Sequence, residues 1–178
     1  MNNKFTIEQI EQMDGHVELI GGELVIQQFT SPLHNSVVLE IACTVYNYII
    51  SHKDSCHVFR ENVALYVNEL LEEDKEFYIP YIMIISDSHG ISENGVHVAP
   101  IFVAEVTSEE SKIWENNIKL ETYRKIGVEE YWIIDLPEKK VCKYLASKDY
   151  VPQYYDNPSS MNISVYHNLS IDLSEFMQ

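Results

Sequence analysis

Basic residues are scarce. The 178-residue chain carries 12 Lys and Arg against 28 Asp and Glu, a formal net charge of −16. A protein that coats nucleic acid without regard to sequence needs a basic field to displace counterions, so that class is excluded. An enzyme with a small local basic site on an acidic body is not. Cysteine is also scarce. Cys43, Cys56 and Cys142 are odd in number and form no CxxC pair, which argues against a structural zinc site and fits thiols in a reducing cytosol. Six Gly and six Pro are too few for a low-complexity or fibrous chain, and a 46% hydrophobic content is that of a globular one. No run approaches the roughly 18 apolar residues of a membrane span. The opening, MNNKFTIEQIEQMDGH, lacks the apolar segment of a signal peptide. The expectation is one cytoplasmic domain over residues 1–178, in neither a membrane nor a secreted context.

Local patterns then place the elements. Thr6 can cap a short helix over Ile7 to Met13, with Glu8 in its first turn. Two β-like runs, His16–Ile20 and Glu23–Gln28, are joined by Gly21-Gly22, a hairpin signal because both glycines accept positive φ. Ser31-Pro32 opens the longest helix, to about Ser51, on which Val37, Val38, Ile41, Val45, Tyr48 and Ile49 recur at helical spacing. His57–Phe59 and Val63–Val67 are expected strands, and the acidic run Glu69–Glu76 a solvated loop. Phe77–Ile85 is almost wholly apolar, as suits a strand covered on both faces. Ser86–Gly95 should be a loop. Pro100–Val106 is a second apolar strand. Residues 108–126 then form a loop and a helix, with Trp114, Ile118, Tyr123 and Ile126 available to its buried side and Gly127 as its C-cap. Glu130–Asp135 is a third apolar strand and Val141–Leu145 returns antiparallel to it. Asp149–Tyr155 could add an edge strand, and the tail a short strand and a final helical turn. Helices between the middle strands and hairpins at both ends predict an α/β fold with a central mixed sheet flanked by helices and an N-terminal β-hairpin.

Glu105 stands out. A carboxylate inside the strand segment VAEV is costly to bury unless it is paired or binds a cation. Strand alternation puts Ile101, Val103, Glu105 and Thr107 on one face. Glu105 is therefore either a metal ligand or catalytic acid, or a rim carboxylate paired with Lys or Arg. On the following helix, Glu115, Lys119 and Tyr123 form one stripe. That stripe is either an ordinary surface Glu–Lys pair or a face turned toward Glu105, where an ammonium could polarise water or stabilise a phosphate.

The blocks GHVELIGGELV, SPLHNSVVLEI, FYIPYIMII, PIFVAEVTS and KIWENNIKLETYRKIGVEEYWIID occur in an order and spacing that resembles the Uma-type restriction endonucleases, a bacterial family of the PD-(D/E)XK nuclease superfamily. The resemblance runs from about Asp14 to Tyr144. It implies a restriction-endonuclease-like core and metal-dependent hydrolysis of DNA phosphodiester bonds, with two carboxylates on neighbouring strands holding Mg²⁺ or Mn²⁺. Glu105 matches the second-strand acid and Lys119 the lysine. Glu18 matches an acid of the opening hairpin that could add a metal ligand. His34 matches a histidine at the start of the long helix, there to touch the phosphate or buttress the acids; on the residues alone it is a first-turn histidine bonding locally.

The departures are specific. The first metal-binding aspartate follows a proline in the family, and here the dipeptide is Pro80-Tyr81, a neutral phenol where a hard anionic ligand belongs. Asp87 shares the parity of Tyr81 but would lie roughly 20 Å further along a continuing strand. Pro100-Ile101 replaces Pro-Asp, Glu115 stands where aspartate is common, and Glu109 and Glu110 add negative charge beside the expected phosphate path. The expected function is a metal-dependent endonuclease left weak or inactive by Tyr81. The alternative is a non-catalytic pseudo-nuclease that binds a protein partner. A third reading is another metal-dependent hydrolase using Glu18, Glu105 and His34. An active nuclease should show a positive patch from Lys112, Lys119, Arg124 and Lys125, and a binding module an aromatic patch near Tyr150, Tyr154 and Tyr155. DNA and a second copy, paired through an edge strand at residues 149–155, are the expected partners.

Overall fold

The three apolar runs of the sequence become the middle of one sheet. In the computed structural model, which describes residues 5–13, 15–26, 30–107 and 113–178, β3 (His57–Arg60), β4 (Ile82–Ile85), β5 (Phe102–Thr107), β6 (Glu130–Asp135), β7 (Lys140–Leu145) and β8 (Gln153–Asp156) hydrogen-bond in that order. The β5–β6 pair is parallel, setting Glu105 opposite Ile133, and the other pairs are antiparallel. The sheet is mixed because β5 and β6 are joined by a crossover helix, α4 (Ile113–Ile126), as parallel neighbours must be. Two small hairpins flank it, β1 (Val17–Ile20) with β2 (Glu23–Ile26), and β9 (Ser160–Asn162) with β10 (Ser170–Asp172).

The pleat sorts the core into two layers. Phe102, Ala104 and Val106 of β5 turn to one face, where they pack with Ile82, Ile84, Trp132 and Ile134. Helix α2 (Pro32–His52) covers that face with Val37, Val38, Ile41, Val45 and Ile49, and the C-terminal hairpin adds Met161, Ile171 and Leu173. Val103, Met83, Ile85 and Tyr131 turn the other way, toward Tyr123 of α4, Ile20 of β1 and Tyr78. A third cluster joins α1 (Ile7–Glu11) to β1 through Ile10, Val17, Leu19 and Phe77. No helix among the described residues is long and apolar enough to cross a membrane.

Local chemistry sets the ends. Thr6 and Gln9 form a reciprocal capping box on α1, and Ser31 Oγ accepts the His34 N–H at the start of α2. Gly21 has φ +60, a conformation strained for any L side chain, so the turn favours glycine; a Cβ there would also lie 2.9 Å from the tip of Ile118, which would have to turn aside.

Three expectations change. Val63–Val67 is not a strand: Leu65 makes isolated bridges to Tyr78 and Val96, and a short helix, α3, spans Val67–Leu71. Phe77–Ile85 is not one strand, because Phe77 and Tyr78 bridge to Leu19 and Leu65 while the sheet takes up only Ile82–Ile85, after Pro80. The acidic run is not all solvated, since Glu76 is buried and accepts the Gly21 N–H at 3.1 Å. The expected end of β2 at Gln28, the Glu109 and Glu110 carboxylates and Lys112 lie outside the described residues, as do the side chains of Trp114 and Glu115.

The tail is fastened by a buried ion pair. Glu130, fully buried in β6, accepts the Trp132 indole N–H at 2.7 Å and the backbone N–H groups of Ser164 and Val165 at 2.6 and 3.1 Å. Lys143 lies 2.8 Å from it and donates to Asn162 O and Ser164 Oγ. Glu130→Ala would leave an ammonium and three N–H donors without their acceptor. The expected loss is about 3–5 kcal/mol, read as a lowered urea midpoint together with earlier proteolysis between residues 157 and 165.

Candidate active site

The site lies on the α4 side of the sheet, where β1, β5 and α4 converge. Glu105 points there because it shares the parity of Val103, and Glu18 comes in from the hairpin. Lys119 bridges them. Its Nζ is 2.9 Å from each carboxylate oxygen of Glu18 and 2.9 Å from Oε1 of Glu105. All three are sealed, with 0%, 4% and 4% of the Glu18, Glu105 and Lys119 surfaces exposed. Tyr123, one turn on from Lys119, donates to Glu105 Oε1 at 3.0 Å, and Glu18 Oε1 also accepts the Ile79 N–H at 2.8 Å. The stripe of Lys119 and Tyr123 thus faces Glu105 and is no surface pair.

Burial opposes the charge of Lys119, and the fields of Glu105 and Glu18 overcome it, holding the ammonium pKa above the usual lysine range. The ring of Tyr78 lies 5.3 Å below the ammonium. The Tyr78 hydroxyl donates to Glu76 Oε2 at 2.5 Å and lies 3.1 Å from Thr122 Oγ1, which locks hairpin, loop and helix around the lysine.

Tyr81 is buried at the same place. Burial, and then the negative field of Glu105, push its phenol pKa up. Its ring meets His34 edge-on at 4.3 Å and tilts toward His16 at 5.5 Å. His34 is buried, with Nε2 3.1 Å from the Val106 carbonyl, so it ties α2 to β5 beside Glu105. That is a buttressing position, reached through the backbone. Burial lowers its pKa, as it does that of His16, which is brought down to about 4 with help from Lys119. Both rings are therefore neutral at pH 7.

Glu105, Lys119, Glu18, His34 and Tyr81, each expected here from the sequence, all lie in this region. His16 was not expected, although the two-residue step from His16 to Glu18 within the expected run His16–Ile20 was the available signal; β1 itself begins at Val17. Glu76, hidden in the acidic run, was not expected either. Lys119 is buried and adds nothing to a surface patch, while Arg124 and Lys125 are exposed. Asp87 caps a turn, accepting the His89 N–H, and lies 3.0 Å from the His89 ring nitrogen Nδ1. On the connection between β4 and β5, Ser92 Oγ is 2.9 Å from His97 Nε2, and His97 Nδ1 is 2.7 Å from Glu69 of α3. The atom order is that of a nucleophile relay. However, the Asn94 and Gly95 amides, which could otherwise bind a substrate oxygen, donate to Ser92 Oγ, so the constellation locks a turn.

A family model described as "Putative restriction endonuclease", Uma2, matches residues 5–174. The chain belongs to this family. No curated protein matches it. Among solved structures, one from Anabaena variabilis, described as a "putative nuclease belonging to DUF820", aligns with a TM-score of 0.73 at 14% identity, covering 98% of this chain and 99% of that chain. At this identity the likeness shows the fold, a nuclease-type α/β core with a central mixed sheet.

The Uma2 resemblance implies a divalent metal, and the donors here can be tested against it. A hard cation needs carboxylate oxygens free to turn to it. Both oxygens of Glu18 and Oε1 of Glu105 are engaged by Lys119, and Tyr81 supplies no anionic oxygen. Among the described residues no three His, Cys, Asp or Glu side chains converge as ligands. The arrangement does not fit a divalent ion.

Two outcomes follow. Lys119→Met would leave two buried carboxylates without a counter-charge and is expected to cost about 3–5 kcal/mol in urea unfolding. His16 and His34 stay neutral when folded and take up protons when unfolded, so stability should fall as pH drops from 6.5 toward about 4. For His16 the loss is up to about 3 kcal/mol at about 1.4 kcal/mol per pKa unit. His16→Gln should flatten the urea-midpoint profile over that range.

Proposed function

We propose that the chain is a degenerate endonuclease of the Uma2 family. It keeps the scaffold and the Glu105–Lys119 pair of a Mg²⁺- or Mn²⁺-dependent DNA hydrolase, but its cleavage of phosphodiester bonds is weak or absent. One observation carries this reading: the Lys119 ammonium sits between Glu18 and Glu105, 2.9 Å from each, beside a buried Tyr81. A metal in such a site would orient the phosphate and lower the pKa of an attacking water. Here an internal cation already offsets part of the carboxylates' charge, leaving a net −1. The acidic body, at −16, also disfavours a polyanion.

A second reading, a non-catalytic module that assembles with protein, is favoured by exposed apolar side chains away from the site. Val151 and Tyr154 stand out beside β8, and Leu39, Tyr46 and Ile50 on α2.

Calorimetric titration with Mn²⁺ tests the first reading, with plasmid cleavage measured in parallel. The wild type should show no saturable binding. Tyr81→Asp should create it, and Glu105→Gln added to Tyr81→Asp should remove it again. Cleavage by Tyr81→Asp should exceed that of the wild type by at least about tenfold, the scale of charge stabilisation by a metal. Mn²⁺ binding by the wild type that is lost in Glu105→Gln would overturn the proposal, since the site would then work without the aspartate.

A further inference from the structure

The outer face of α2 has a composition that the rest of this surface does not prepare for. A helix lying on a sheet is expected to present charged and polar residues to water. In this chain of net charge −16, the exposed positions of α2 between Pro32 and Ser51 include no Asp, Glu, Lys or Arg. Glu40, the one charged residue in that span, is half-buried at the side and accepts the Thr44 hydroxyl at 3.0 Å. Instead Leu39, Cys43, Tyr46 and Ile50 follow one another at steps of four, three and four. Those steps place them in a stripe about 60° wide at 100° per residue. Leu39, Tyr46 and Ile50 expose 47%, 56% and 59% of their surface, and Cys43 is exposed too.

The stripe is its own mirror in sequence. About a point midway between Thr44 and Val45, Leu39 exchanges with Ile50 and Cys43 with Tyr46. Two such helices crossing antiparallel about a two-fold axis there would set Leu39 on the partner's Ile50, and Cys43 on the partner's Tyr46. That is the isologous pairing a symmetric dimer requires.

We propose that the outer face of α2 is a homodimer interface in which two copies of this chain pack α2 on α2, antiparallel, with Leu39 of one copy against Ile50 of the other. Charge selects the occupant. Contact between two acidic copies through most of their surface brings like charges together, whereas this face removes apolar area from water and brings no carboxylate pair into contact. A single helix-on-helix seam is smaller than the roughly 800 Å² per partner of a standard interface. The dimer is therefore concentration-dependent, with dissociation in the micromolar range. It uses a different face from the edge strand first expected to pair, and it is independent of whether the buried site cleaves DNA.

Sedimentation velocity over a micromolar concentration series tests it. The wild type should shift from monomer to dimer. Leu39→Lys and Ile50→Glu should each weaken association at least about tenfold, the usual cost of charge in an apolar contact. Mixing the two variants should restore a dimer, because the introduced ammonium of one then meets the introduced carboxylate of the other while the second Leu39–Ile50 contact stays intact. Cys43 gives an independent measure. Its two copies would lie about 7 Å apart between Cα atoms, from helix spacing, rise and the radius of the Cα cylinder. That is at the outer limit of disulfide reach and well within that of a short bismaleimide, which should link wild type and not Cys43→Ala under reducing conditions that exclude a disulfide. Since these side chains face solvent, circular dichroism should be unchanged in every variant. A wild type that stays monomeric throughout the series, a dimer that neither charge variant weakens, or a mixture that does not reassociate would each overturn the proposal.

Discussion

One ammonium group organises the interior. Lys119 brings together three parts of the chain far apart in sequence: the opening hairpin through Glu18, the central strand through Glu105, and its own helix. Without it, two carboxylates would lie in a nearly water-free space, where an unpaired charge costs several kcal/mol. With it, their positions are fixed to the length of a hydrogen bond, and the aromatic rings of Tyr78, Tyr81 and Tyr123 can close around them. The geometry of the site is thus the geometry of a salt bridge, and its rigidity is that of the fold itself.

This gives a physical meaning to the proposal that Tyr81 stands where a metal-binding aspartate would. A metal site of this type tolerates buried carboxylates because the cation balances them. On that proposal, a lysine balances the two carboxylates to a net −1, and a phenol ring can fill the volume that an ion and its waters would take. The same residues that would serve hydrolysis then serve packing. Family membership and chemistry therefore rest on different observations.

Much of the architecture was legible in the sequence because its signals were local and strong. Gly21-Gly22 marked the hairpin, Ser31-Pro32 the start of α2, and unbroken apolar runs the buried strands. Glu105 was legible because a lone carboxylate in such a run must find a partner. What stayed hidden depended on distant neighbours. Leu65 could not show that it would bridge to two separate segments and leave no strand around it. Glu76 looked like one more acid in a solvated run until the hairpin amide of Gly21 arrived to meet it. His16 lost its significance beside the stronger signal of the turn that follows. In each case the deciding contact joined segments that only the folded chain brings together.

The clamp made by Glu130 and Lys143 bears on the order in which the protein can mature. The face of the sheet under α2 is completed by Met161, Ile171 and Leu173, which a ribosome makes long after it has made the helix. Until those residues emerge, a growing chain carries an uncovered apolar surface next to paired strands, the condition under which nascent proteins associate wrongly. The stage before Met161 to Leu173 are made is therefore the vulnerable one, and that stretch acts as the seal on this face. Shielding by a chaperone would matter most during the interval before that seal arrives.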